Sequence, residues 1–72
     1  MDFQSRLKSL RKESNHSQTE TSNAIGVTLK QVQRYERGES EPTLSKLIAL
    51  ADYFDVSLDY LVGRSDDPSI NR

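Results

Sequence analysis

Apolar residues return along most of this chain at intervals of three and four, the spacing of one face of an α-helix. Phe3, Leu7 and Leu10 stand at i, i+4 and i+7, which predicts an amphipathic helix over residues 2–13 with Arg6, Lys8 and Lys12 on its polar side. Asn15 offers a left-handed stop. Ser17, followed three positions later by Glu20, has the form of a capping box, so a second helix starts there and closes with Ala24 and Ile25 before Gly26. Thr28 caps a third helix, Leu29 to Arg37, whose Val32 and Tyr35 face inward and which stops at Gly38. After the turn Glu39-Ser40-Glu41-Pro42, Thr43 caps a fourth, in which Leu44, Leu47, Ile48, Ala51 and Phe54 form a broad apolar stripe expected at the centre of the core. Ser57 caps a short fifth helix, Leu58 to Val62, ended by Gly63. No stretch alternates with the period of a strand, and no internal repeat is visible. The expected fold class is therefore all-α with five helices, the domain occupying residues 1–63. Residues 64–72, RSDDPSINR, are polar and aperiodic and are expected to form a disordered tail or linker.

Between Gln18 and Gly38 the sequence reads as two short helices broken by Gly26, whose access to positive φ suits a tight turn. The second of them carries Lys30, Gln33, Arg34 and Arg37 on the side away from Val32 and Tyr35. That is the layout of a helix-turn-helix, whose second helix lies in the DNA major groove. Lys30 and Arg34, central on the exposed face, are expected to include a donor to guanine O6 and N7, and Gln33 to pair with adenine. Thr28 and Arg37, nearer the helix ends, are expected to hold phosphates.

Composition narrows the remaining choices. A chain of 72 residues is a single small domain, of a size at which a second subunit commonly adds stability, so a homodimer is expected, assembled fully only on DNA in one form of this expectation. An acidic pI near 5.7 speaks against a nucleic-acid partner. The distribution of charge reverses that: residues 1–38 carry seven Lys/Arg against four acids, a net +3, and residues 39–72 carry three against seven, a net −4. Cysteine is absent, which excludes disulfides, cysteine-ligated zinc and thiol catalysis. The longest purely apolar run, Leu47 to Ala51, is too short to span a bilayer, and the N-terminus lacks a signal-peptide core, so a cytoplasmic protein with no membrane partner is expected. His16 is the sole histidine and has neither a second ligand nor a nucleophile to serve, Asp52, Asp55 and Asp59 match no calcium loop, and the three glycines are helix stops. No metal, no cofactor and no enzymatic activity are expected.

The chain resembles the Cro and phage-repressor family of helix-turn-helix regulators. The resemblance spans about residues 5 to 63 and rests on Leu10-Arg11, Ser17-Gln18, Ile25-Gly26-Val27-Thr28, Tyr35-Glu36-Arg37-Gly38, Glu41-Pro42-Thr43-Leu44 and Val56-Ser57-Leu58-Asp59-Tyr60-Leu61. It implies five helices, dimeric binding to a near-palindromic operator, and transcriptional control, commonly repression. It also implies that Gln18 touches the phosphate backbone and braces the reading helix, and that Arg11 pairs with Glu36 while lying near a phosphate. Three positions depart from the family pattern. Thr21 and Ser22 stand where the family has Leu and Ala, His16 stands where it has Leu, and Leu29 replaces a polar reader, for which a thymine methyl is the natural contact.

Two function classes follow. In one the chain is a sequence-specific DNA-binding regulator whose dimer contacts come from the turn at Pro42 and from Leu58 and Tyr60. In the other the helices serve as a protein-interaction module, such as an antitoxin that binds a toxin partner. A second apolar patch outside the core would favour the latter.

Overall fold

A short polar side chain opens every helix among the described residues. Asp2, Ser17, Thr28, Thr43 and Ser57 each take extended backbone and accept a hydrogen bond from the amide of the residue three positions on. The computed structural model describes residues 1–70 and contains α1 (Phe3–Glu13), α2 (Gln18–Ile25), α3 (Leu29–Glu36), α4 (Leu44–Phe54) and α5 (Leu58–Leu61). The capping box at Ser17 and Glu20 is complete in both directions. Asn15 and Asp55 take left-handed backbone, with φ of 58° and 56°, and turn the chain after α1 and α4.

Leu7, Leu10, Ile25, Tyr35, Leu50, Ala51, Val56 and Leu61 form one buried cluster, and Val32 is fully enclosed as well. Helix α3 packs on α1 and α2, α4 on α2 and α5, and α1 also on α5. Thr21 and Ser22 lie buried within this frame, at 0% and 2% exposure. Their hydroxyls donate to the carbonyls of Ser17 and Thr19, so the polar groups that stand where the family has Leu and Ala are satisfied within their own helix and its cap. His16 stacks beside Tyr53 and Phe54, its ring centroid 4.8 Å from that of Tyr53.

Two expectations need correction. The buried arc of α4 is not the stripe that includes Leu44 and Ile48, which are 68% and 43% exposed; Leu50 is fully buried beside Ala51, with Leu47 and Phe54 at the margin. Helix α4 is apolar around most of its circumference, and it packs chiefly on α2 and α5. Arg6 is not on the open side of α1: it is 7% exposed, with its guanidinium carbon 3.7 Å from the centroid of the Tyr60 ring. Residues 64–70 carry no helix and make two polar contacts with the helical body. The Ser57 amide donates to the Pro68 carbonyl, and an Arg6 nitrogen lies 3.5 Å from Asp66. Residues 71–72 of the expected tail lie outside the described residues.

Candidate nucleic-acid interface

Gly26 makes the turn between α2 and α3. Its φ of 74° is left-handed, and the Val27 amide donates back to the Ser22 carbonyl, so the chain reverses within three residues before Thr28 caps α3. Lys46 of α4 reaches the end of α2 from outside, its Nζ donating to the Ile25 carbonyl at 2.8 Å. A cation on the last carbonyls of a helix meets both their unpaired lone pairs and the negative end of the dipole.

Burial of Val32 and Tyr35 fixes the rotation of α3. It leaves Leu29, Lys30 and Arg34 exposed along the outer side, Gln33 half-buried next to them, and Thr28 and Arg37 exposed at the two ends. These are the residues expected to meet DNA, and the fold brings them to one surface. Arg37 pairs at 3.2 Å with Glu39, both side chains more than half exposed, so the contact is open to exchange with a phosphate.

Beneath this surface lies the expected ion pair. Glu36, its side chain 3% exposed, accepts from Arg11 Nε at 2.6 Å and from Arg11 Nη2 at 3.1 Å, a two-pronged contact joining α1 to the end of α3. The hydrogen bonds to the Glu36 carboxylate raise the Arg11 guanidinium above its ordinary pKa. Gln18 at the start of α2 donates to the same Glu36 at 3.2 Å, and Gln33 donates to Gln18 at 3.4 Å. The bracing of α3 by Gln18 is thus direct.

A surface concavity of about 270 Å³ opens here, lined by Lys8, Gln18, Gln33, Glu36 and Arg37. Lys8 was not among the residues expected at the interface. Its signal in the sequence was its place three residues before Arg11, on the same side of α1. With Arg11 partnered to Glu36, the cations at the rim are Lys8 and Arg37, a charge balance suited to a phosphate rather than to a carboxylate reaction.

Residues 7–61 match the helix-turn-helix family. The chain belongs to the Cro and phage-repressor type of that family. It is 38% identical over 64 residues to the transcriptional repressor RstR of the cryptic phage CTXphi of Vibrio cholerae, covering 89% of this chain and 57% of that protein. The crystal structure of a transcriptional regulator from Listeria innocua superposes with a TM-score of 0.83 at 37% identity, over 86% of this chain and 58% of the other. The P22 c2 repressor, solved in complex with a synthetic operator, superposes with a TM-score of 0.84 at 28% identity, over 90% and 98% of the two chains. This helix-turn-helix chain spans a little over half the length of RstR and of the regulator YobD of Bacillus subtilis.

Of the residues expected at a dimer contact, Leu58 is 38% exposed and Pro42 half-buried, while Tyr60 is half-buried under Arg6 and belongs in part to the chain's own packing. Leu58 borders a groove that Ile48 and Ile70 also line. Among the described residues no helix is long and apolar enough to cross a membrane, and no cluster of potential metal ligands occurs.

Proposed function

We propose that this chain binds double-stranded DNA sequence-specifically in the cytoplasm and controls transcription, as a repressor, in the form of a dimer on a near-palindromic operator. The observation that carries the reading is α3 itself: Val32 and Tyr35 hold it in the core while Leu29, Lys30 and Arg34 stand on its free side. Lys30 and Arg34 donate to base edges, Leu29 meets a thymine methyl, and Gln18, Thr28, Arg37 and Arg11 hold phosphates. A two-fold protein requires half-sites about one helical turn, roughly 34 Å, apart.

Selection of duplexes from a random library, followed by footprinting of the winner, tests the reading. Arg34→Ala costs about 1–3 kcal/mol on the best duplex and relaxes one base position, whereas Arg37→Ala weakens all duplexes alike and lowers the salt slope by about one. Uniform loss on selected and scrambled duplexes for both Lys30→Ala and Arg34→Ala would overturn base reading by these side chains.

A protein contact is supported by a separate observation. Leu44, Ile48 and Leu58 are exposed outside the core, and Ile48 and Leu58 line one groove. Apolar exposure outside the core is what an interaction module would also show, but because it includes Leu58 and lies near Pro42 in sequence, both expected at a dimer contact, we assign it to the second subunit. A partner protein, as an antitoxin would have, is the other reading. Ultracentrifugation of the chain with operator duplex distinguishes them: two chains per duplex supports the dimer, one chain rejects it.

A further inference from the structure

Four polar side chains from three helices form an unbroken hydrogen-bonded line from the interior to the reading surface. Arg11 donates through Nε and Nη2 to Glu36; Gln18 Nε2 donates to Glu36 Oε1 at 3.2 Å; Gln33 Nε2 donates to Gln18 Oε1 at 3.4 Å. The direction of this line is dictated from its buried end. An ionised carboxylate only accepts, and a guanidinium only donates. Gln18 therefore turns its amino group inward to Glu36, which leaves its oxygen facing Gln33. An oxygen calls for a donor, so Gln33 turns its own amino group to Gln18. The reverse orientation would set two amide oxygens against each other.

We propose that this relay fixes the amide polarity of Gln33, making it a base reader whose oxygen accepts from the exocyclic amino group of adenine or cytosine, and making Gln18 a positioning residue for that choice. The inference rests on α3 being the DNA-reading helix. With one N–H committed to Gln18, Gln33 keeps its oxygen and its second N–H for a base edge. That pair fits adenine N6 and N7, and the oxygen alone fits cytosine N4. Guanine O6 and thymine O4 can meet only the remaining N–H and leave the oxygen without a donor, so they fit less well. A side chain free to flip would tolerate either polarity, so the relay converts an adaptable glutamine into a discriminating one. Its origin is the Arg11–Glu36 pair, which never touches the base.

The test uses the full chain and the duplex it enriches from a random library. Gln33→Ala identifies the base pair concerned as the one at which preference relaxes. At that pair, a base lacking its exocyclic amino group (purine for adenine, 2-pyrimidinone for cytosine) should lower the affinity of the unaltered chain by roughly 5- to 150-fold, the range of one specific base contact. The same substitution should leave Gln33→Ala unaffected. Gln18→Met should relax preference at that same pair, in addition to a uniform loss shared with a scrambled duplex, and Gln18→Met with Gln33→Ala should relax it no further. Far-ultraviolet circular dichroism confirms that each variant is folded, and the analogue measurement on the unaltered chain needs no variant. Unchanged affinity on removing the amino group, or an unchanged base profile for Gln18→Met beneath a uniform loss, would overturn the relay while leaving DNA reading intact. Failure of the chain to enrich any sequence would overturn both.

Discussion

Glu36→Gln isolates the charge at the centre of the interface with almost no change of shape. Glu36 is 3% exposed in its side chain and accepts three hydrogen bonds, two of them from Arg11. The substitution sets an amide N–H against a guanidinium that can only donate and leaves the Arg11 charge without its counterpart. Breaking a fully buried pair costs about 3–5 kcal/mol. Here Arg11 keeps 15% exposure and a further bond to the His16 carbonyl at 3.3 Å, so water reaches the stranded charge, and the expected loss is smaller, about 2–3 kcal/mol. A chain of 72 residues unfolds with an entropy of about 0.15 kcal/mol/K, so the melting temperature should fall by about 13–20 °C. Thermal unfolding followed by circular dichroism measures it. The single changes Arg11→Met and Glu36→Leu and their double then form a cycle. Replacing both charges with apolar groups removes the stranded partner, so the double should be more stable than the sum of the singles implies, with a coupling of about 1–3 kcal/mol. Additive effects would mean that the pair contributes nothing as a pair.

Lys46→Met keeps an apolar stem while removing the cation that caps α2 at the Ile25 carbonyl; a loss of about 1–2 kcal/mol in urea unfolding is expected, and a loss no greater than that of exposed Lys12→Met would refute the cap. Gly63→Ala places a Cβ onto the Met1 carbonyl oxygen at a left-handed φ of 86°, so a loss of about 1–2 kcal/mol is expected, and an unchanged melting temperature would show that the N-terminal backbone does not cross this glycine. The Glu20 carboxyl is held below the usual range, first by the Ser17 amide and then by the rest of the capping box. A depressed carboxyl stabilises the fold fully above the unfolded value of about 4.3, and that stabilisation is lost as pH falls through the folded value. Glu20→Gln keeps the acceptor but does not titrate, so its melting temperature should fall less steeply than that of the unaltered chain below about pH 4; parallel curves would reject the box as the source.

What could be read from the sequence and what could not divide along the range of the interactions involved. Helix starts depend on a side chain and an amide three residues apart, so Ser17, Thr28, Thr43 and Ser57 announce themselves. The outer face of α3 follows from Val32 and Tyr35 in the same way. By contrast, which part of an apolar helix is covered depends on its neighbours. Periodicity alone favours Leu44 and Ile48, while the packed core encloses Leu50 and leaves those two exposed. Arg6 reads as a surface charge until Tyr60, distant in sequence, is laid beside its stem. The family resemblance supplied the Arg11–Glu36 pair, but no spacing in the chain reveals that Gln18 bridges Glu36 to Gln33, because that line exists only once α1, α2 and α3 have packed. The residues proposed to read bases are therefore legible in one helix, whereas the orientation proposed for one of them depends on a carboxylate buried behind it. If the proposed relay holds, a substitution that leaves every exposed residue of α3 in place changes what the helix reads.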